Sequence, residues 1–383
     1  MDCYSSYVEI DCQKLCNNIH SIQLDLGPGV QVIPVLKCNA YALGAVRLAQ
    51  EIAAATDVTT FAVAQVGEAV ALRQGGIKQD LLVLSGVPAA HLPAAIRNDI
   101  LLPAYSVDIV RQLAEEAQRQ QKPARFHIKV ETGLNRLGVK PGEELQQLID
   151  LITRHPLLQV AGVYSHFVDG ERAQSPLAKR QYTLFQQALE QLAANGIKPP
   201  LVHLCNTGAS EWYREALLGG ARIGRRLYMG HPSHPAPAGQ PGAVEEVASW
   251  RAQILYLRQL MPGDTVGYDE AFRATKPTTV AVISVGYGDG LDERLALSGA
   301  AALVGPQDKP APYLSICMDQ ALLDVTGIPC QVGDEVTLYG RTSGGTLLSA
   351  QQVAALIGHE GVYLYSRLGD RIKRVYLNTQ TAE

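Results

Sequence analysis

The sequence predicts an α/β protein, a (β/α)8 TIM barrel followed by a mainly β C-terminal domain. Three observations carry that reading. Between Gly29 and Met229, short β-branched runs alternate with longer amphipathic stretches, and the runs number eight. The alternation stops at a Pro/Gly-rich segment, beyond which turn signals recur about every ten residues. The 383 residues have room for both parts, since such a barrel takes roughly 250.

In chain order, the run Ser6–Ile10 precedes the barrel and is expected to pair with the second domain. This places the expected boundaries at 1–11, 12–235 and 236–383. The eight barrel strands are read at Val30–Lys37, Thr59–Ala64, Leu81–Gly86, Leu101–Ser106, Arg125–Glu131, Gln159–His166, Leu201–Asn206 and Ala221–Tyr228. Between them, Gly44–Thr56, Val66–Gln74, Ser106–Arg119, Pro141–Arg154 and Leu177–Ala194 carry apolar residues at three- and four-residue spacing, the signature of an amphipathic helix. Strand alternating with helix implies parallel pairing through right-handed crossovers, and eight units close a ring; an open doubly wound sheet is the alternative. The segment from His231 to Gly242 reads as a linker, with His231 and His234 as exposed loop residues. Beyond it, Glu246–Leu260, Thr278–Val285, Ala301–Val304, Tyr313–Val325 and Asp334–Tyr339 read as strands and Ser349–Ile357 as a helix.

Composition narrows the partner. Hydrophobic residues make up 47%, charged residues 18%, and the mean hydropathy is +0.01, the profile of a globular chain with a large core. The net charge of −4, with no basic stripe, argues against nucleic acid and acidic membranes and for a small molecule. No apolar run reaches the roughly 18 residues of a membrane span, and the first six residues lack both a basic and an apolar region, so a soluble, cytoplasmic chain is expected. Seven scattered cysteines without a Cys-x-x-Cys pair fit reduced thiols. Cys12 and Cys16 could share a helix face, but they lack a matching His pair, and no metal is expected.

In a parallel barrel, catalytic groups sit at the C-terminal ends of strands. Here the first strand ends in Lys37, the loop after the fifth holds Arg136, the sixth ends in His166, the seventh in Asn206-Thr207, and the eighth carries Arg222-Ile223-Gly224-Arg225. A hydroxyl beside a helix start near the seventh and eighth strands is where this fold binds phosphate. A lysine facing such a site points to Schiff-base chemistry, because an amine in a low-dielectric pocket loses its proton more readily. Pyridoxal phosphate and a phosphorylated sugar cleaved by an aldolase both fit at this level.

At these residues the sequence resembles the bacterial alanine racemases, fold-type III pyridoxal phosphate enzymes, over nearly the whole chain. The family's Lys-x-Asn-Ala-Tyr-Gly-His-Gly appears as Lys37-Cys38-Asn39-Ala40-Tyr41-Ala42-Leu43-Gly44, and its Lys-Val-Asp-Thr-Gly-Met-x-Arg-Leu-Gly as Lys129-Val130-Glu131-Thr132-Gly133-Leu134-Asn135-Arg136-Leu137-Gly138. Ser165-His166-Phe167, Arg222-Ile223-Gly224, the run from Gly263 to Tyr268, the run from Gly286 to Gly290, and Cys317-Met318-Asp319-Gln320 resemble the remaining signatures, in the family's order.

The resemblance implies a role for each residue. Lys37 is the cofactor lysine and one of two bases; Tyr268 is the opposing base, with His166 as its neighbour. Arg222 contacts the pyridine nitrogen. Tyr41, Asn206, Thr207, Gly224, Arg225 and Tyr365 complete the cofactor site, and Arg136, Met318, Tyr287 and Ser366 surround the substrate. Lys129 matches a lysine that is often carbamylated. Tyr268 and Met318 act in the site of the other subunit, which implies a homodimer with shared sites.

Two departures stand out: Ala42-Leu43 replaces Gly-His, and Ser366 falls where the family usually has a tyrosine. The second opens the alternative of a serine racemase of the vancomycin-resistance type, since a site that rewards a substrate hydroxyl discriminates strongly. A non-catalytic pyridoxal phosphate carrier and a two-domain decarboxylase are the remaining alternatives. The carrier proteins lack the domain that holds Tyr268 and Met318, and the spacing around Cys317-Met318-Asp319-Gln320 fits the racemases better than the decarboxylases.

Overall fold

The computed structural model describes residues 4–230 and 243–381. The expected linker, His231, His234, Cys3 and the 235/236 boundary lie outside the described residues. The first strand, β1 (Ser6–Asp11), leads into a helix, Cys12–Leu26, which the sequence reading touched only through a helix face shared by Cys12 and Cys16, both of them buried here. Its apolar spacing is helical all the same: Leu15, Ile19, Ile22 and Leu26 are buried on one face, and the Asp11 carboxylate caps the start by accepting from the Lys14 N–H at 3.0 Å.

Eight parallel strands follow: β2 (Gln31–Pro34), β3 (Thr60–Val63), β4 (Asp80–Val83), β5 (Ile100–Ala104), β6 (Ala124–Lys129), β7 (Leu158–Tyr164), β8 (Leu201–Asn206) and β9 (Gly220–Ile223). They pair in the order β2-β9-β8-β7-β6-β5-β4-β3. A parallel bridge from Val35 to Ala62, with the Leu36 N–H donating to the Ala62 carbonyl at 2.8 Å, joins the two ends. The barrel is therefore closed, and the open sheet is excluded.

Side-chain alternation sorts the strands into two faces. Val32, Leu36, Phe61, Val63, Phe126 and Ile128 point outward into one large core shared with the helices. Ile33, Val35, Ala62, Leu82, Leu101 and Leu201 form a separate, small cluster on the inner face. Each such buried side chain contributes about 1.5–3 kcal/mol, so the shell carries the stability of the barrel. That leaves inner positions of β6, β8 and β9 free for polar groups.

Seven of the eight barrel strands end earlier than the sequence reading has them, and only Leu201–Asn206 ends where expected. The first stops at Pro34, and the backbone has left the extended region by Leu36 (φ −107°, ψ 18°); the last stops at Ile223, after which Arg225–Met229 forms a helical turn. The expected run Tyr313–Val325 is in fact two strands separated by a tight turn at Cys317, whose N–H donates to the Gln320 carbonyl at 2.8 Å.

The second domain is antiparallel. The long β10 (Ala248–Leu260), β13 (Thr278–Ile283), β14 (Ala301–Val304), β15 (Lys309–Ile316), β16 (Ala321–Asp324) and β17 (Glu335–Arg341) pair so that β10-β13-β16-β15-β14-β17 returns to β10, a small closed barrel. The short β11 (Thr265–Val266) and β12 (Phe272–Arg273) form a separate hairpin, and β18 (Leu347–Leu348) adds to β17. On the other side of β10 lie β1, antiparallel, and then β19 (Lys373–Leu377), parallel to β1. β19 also grips the first barrel: Arg374 Nε donates to the Ala42 carbonyl and Tyr376 Oη to the Leu43 carbonyl, both at 2.9 Å. Among the described residues, no helix is long and apolar enough to cross a membrane, no group of three or more His, Cys, Asp or Glu is placed to hold a metal ion, and the six cysteines are free.

Candidate active site

The site begins at an unusual piece of backbone. Cys38, Asn39, Ala40, Tyr41 and Ala42 all have φ between +52° and +64°, a left-handed turn built without glycine. Left-handed geometry costs a residue with a Cβ about 1–2 kcal/mol, so the turn needs external support. Glu68 supplies it from below, its Oε1 accepting from the N–H groups of Cys38 at 2.5 Å and Asn39 at 3.4 Å. Asn39 Oδ1 accepts from the Ala45 N–H at 2.8 Å, and β19 holds the exit. The result places Lys37 and Tyr41 in one cavity, with Lys37 Nζ 6.0 Å from the Tyr41 ring centre.

That cavity, of about 240 Å³, lies at the C-terminal mouth of the barrel. Lys37, Tyr41, His166, Asn206, Thr207, Arg222, Gly224 and Arg225, eight residues expected from the sequence, all line it. At one end, the Gly224 N–H donates to Thr207 Oγ1 at 3.1 Å, and the Tyr41 hydroxyl stands so close to Gly224 that a Cβ there would lie 2.3 Å from it. Only glycine leaves this cradle of hydroxyls and amide open. A phosphate fits there, an aldehyde fits at Lys37, and a ring nitrogen fits against Arg222, so the residues present suit pyridoxal phosphate.

Arg222 is buried, and both of its terminal nitrogens are engaged within the chain. Nη1 donates to His203 Nδ1 at 2.7 Å and to the His203 carbonyl at 3.1 Å; Nη2 donates to the carbonyls of Ser165 (2.7 Å) and Leu204 (3.0 Å) and to His166 Nδ1 (3.2 Å). Burial pulls the guanidinium down only to about 10, so it remains a cation at neutral pH.

A guanidinium has no acceptor, so both imidazoles offer Nδ1 as a lone pair and carry their proton on Nε2. His203 Nε2 then donates to His127 Nδ1 at 2.8 Å. Burial, reinforced by the Arg222 charge, holds His166 and His203 far below their ordinary range, and burial pulls His127 down to about 3. All three are neutral. His127 also lines a second cavity on the opposite side of the barrel, beside the Arg125–Asp80 pair at 2.7 and 2.9 Å.

Lys129, at the end of β6, is buried 4.7 Å from the Tyr164 ring centre, and that ring stacks on His203. Burial, then the charges of Arg222 and Arg136, lower its amine to about 7. Among the described residues, no acceptor lies within hydrogen-bond distance of Nζ. Arg136 itself is exposed, its N–H donating to Glu131 Oε2 at 3.3 Å, and it does not line the cavity.

The remaining expected residues lie elsewhere. Tyr268 is 77% exposed in a short turn whose entrance, Gly267, has φ +80° and packs on Ser315. Tyr287 and Met318 sit together through the bond from the Tyr287 N–H to the Cys317 carbonyl at 2.9 Å, and both are exposed. None of the three lines the cavity of this chain.

Tyr365 and Ser366 do not reach it either. Tyr365 is fully buried against Tyr339, its hydroxyl donating to Glu246 Oε1 at 3.0 Å, and Ser366 Oγ donates back to the Tyr363 carbonyl at 3.1 Å. The helix Gly361–Ser366 presents Val362 to the cavity instead. Glu171, Glu360, Val362 and Leu84 also line it, although the sequence reading passed them over. His127 and His203 were missed as well. Their signal was strand alternation, since the neighbours Phe126, Ile128 and Leu204 face outward.

Comparison with known proteins agrees over the whole chain. The family description "Alanine racemase, N-terminal domain" matches residues 10–232 and "Alanine racemase, C-terminal domain" matches residues 247–376. The chain is similar to the alanine racemase of Geobacillus kaustophilus, at 31% identity over 98% of this chain and 95% of that one, and to that of Clostridium tetani, at 30% over 97% and 95%. Among solved structures, the alanine racemase of Bacillus anthracis with bound L-Ala-P matches with a TM-score of 0.89 and 27% identity, covering 100% of this chain and 98% of that one. That of Clostridium difficile 630 matches with a TM-score of 0.90 and 25% identity, covering 98% and 97%.

Proposed function

This chain belongs to the alanine racemase family, and from that premise we propose that it interconverts L- and D-alanine with pyridoxal phosphate as cofactor, using Lys37 and Tyr268 as bases on opposite faces of the substrate. The observation that carries the reading is the convergence of Lys37, Arg222 and the Thr207–Gly224–Tyr41 cradle on one cavity. The serine alternative is not favoured: the curated relatives above are named alanine racemases, and Ser366, which prompted it, lies outside the cavity.

When bound, the cofactor supplies a conjugated ring that makes the α-proton of an attached amino acid acidic. The protein does the rest. Tyr41 Oη, Thr207 Oγ1 and the Gly224 N–H would hold the phosphate; Lys37 Nζ would hold the aldehyde until the substrate amine takes its place and, once freed, would move a proton on one face. Arg222 cannot accept a proton, so it presents a fixed positive donor to the ring nitrogen and limits how much negative charge the ring takes up, which disfavours transamination.

Tyr268 Oη holds the proton on the other face. A phenol ordinarily titrates near 10, so it needs help to act as a base. His166 gives that help as a neutral donor through Nε2–H; the positive charge comes from Arg222 behind it.

Tyr268, Tyr287 and Met318 are exposed and outside the cavity of their own chain, which supports a homodimer in which they complete the partner's site. Lys129 is the proposed carbamate. Its amine, lowered to about 7, is substantially neutral at physiological pH and can add to CO2, forming an N–C bond, releasing one proton and leaving an anion close to Arg136 and Arg222. A mass increase of one CO2 that disappears on acidification is the expected signature; an unmodified Lys129 at saturating bicarbonate contradicts it.

Chiral chromatography of L-alanine incubated with protein and cofactor tests the activity. D-alanine should accumulate to an equal mixture, and L-serine should turn over far more slowly. No D-alanine from the holoprotein would refute the proposal.

A further inference from the structure

The cradle end of the cavity carries charged side chains that the chemistry above leaves idle. Arg225 follows Gly224 directly, its Nη1 donating to Glu360 Oε2 at 2.7 Å and its Nη2 to Glu171 Oε1. All three residues line the same cavity as Thr207 and Gly224. They come from three places: the loop after β7, the turn after β9 and the start of the helix Gly361–Ser366 in the second domain. Glu360 stands at the N-cap of that helix, yet its carboxylate does not cap it and is committed to Arg225 instead. The stem of Glu171 fills the space over Gly208, where a Cβ would lie 2.3 Å from its Cγ. One guanidinium and two carboxylates leave this wall with a formal charge of −1, facing a cradle suited to a dianion. Without the guanidinium the same wall would carry −2 and repel phosphate more strongly.

We propose that the Arg225 guanidinium, pinned between Glu171 and Glu360, is a charge shield that sets this chain's affinity for the phosphate group of its cofactor; the inference rests on the pyridoxal phosphate reading. The Glu171 and Glu360 side chains are 61% and 55% exposed, so solvent screens part of the repulsion and the effect is moderate. The guanidinium, at 25%, is the least exposed of the three.

The test compares two probes on the full chain freed of cofactor: pyridoxal phosphate, and pyridoxal, which has the aldehyde but no phosphate. Binding is read from the near-ultraviolet and visible absorbance that reaction with an amine produces. Arg225→Met should weaken pyridoxal phosphate on the order of tenfold while leaving pyridoxal within about twofold. Adding Glu171→Gln and Glu360→Gln to that variant should restore the preference for the phosphorylated probe to within about threefold of wild type. With Arg225 intact, the two glutamine substitutions alone should tighten pyridoxal phosphate and flatten its salt dependence.

Equal losses for both probes, or no restoration by the glutamines, would overturn the shield and reduce Arg225 to a structural tie. If the Arg225 variants do not fold, the glutamine pair decides by itself, since unchanged or weaker phosphate affinity contradicts the proposal. Wild-type protein that responds to neither probe would sink the cofactor reading, and the shield with it.

Discussion

The mouth of the large barrel and the exposed face of the small one hold the two halves of the proposed machinery in opposite states. From the barrel mouth inward, Arg222 makes five hydrogen bonds, a chain of three histidines is locked in one protonation state, and a left-handed turn is braced from two sides. On the β domain, Tyr268, Tyr287 and Met318 point outward, held only through the backbone around them. A side chain satisfied within its own chain has no need of a partner; exposed large side chains on a turn surface invite one. The difference fits the proposal that one protomer carries the cofactor pocket and that Tyr268, Tyr287 and Met318 serve the site of a second.

Four substitutions probe that division, and the largest effect belongs to the cofactor pocket. Lys37→Ala should abolish the cofactor's absorbance change and lower racemisation by at least about 10³-fold; retained absorbance would mean another amine does its work. Tyr268→Phe should lower racemisation by about 10²–10³-fold with cofactor binding intact, because only one proton transfer is lost. An unchanged rate of L-to-D conversion rejects the opposed-base assignment.

Smaller effects concern stability. His127, titrating near 3 when folded and near its ordinary 6.5 when unfolded, binds more protons in the unfolded chain between those values. Its contribution is present above about pH 6.5 and is lost as pH falls toward 3, by up to about 1.4 kcal/mol per pH unit. Urea unfolding across that window should show a shallower slope in His127→Gln than in wild type; parallel slopes would mean His127 is not held neutral.

Smallest of all, Tyr365→Phe should cost about 1 kcal/mol by removing the hydrogen bond to Glu246, with cofactor affinity within about twofold of wild type. A large loss of cofactor affinity would return Tyr365 to the pocket.

Much of the first half was legible in the sequence. Eight alternating units announce the barrel, and the strand-end position of Lys37, His166, Asn206 and Arg222 follows from where such a fold presents its loops. The left-handed turn after Lys37 was not legible, because nothing in Cys-Asn-Ala-Tyr-Ala demands positive φ; the demand comes from Glu68, Arg374 and Tyr376, which are remote in sequence. Closure of the small barrel through β17 and β10 was hidden for the same reason. The exchange of Tyr365 for Val362 is a matter of helix register: each residue turns about 100° further around the axis, and the resemblance alone does not say which one meets the cavity. For Tyr268 and Met318, local pattern alone points to no site, and their role comes from the resemblance.

The most direct test of the shared-site claim mixes two dead proteins. Lys37→Ala and Tyr268→Phe protomers, unfolded and refolded together in equal amounts, should form half heterodimers, each with one intact site. Racemisation should then recover to about one quarter of wild type. Recovery no greater than the sum of the two separate variants, with heterodimers demonstrably present, would show that each chain draws both bases from itself, and would contradict the account.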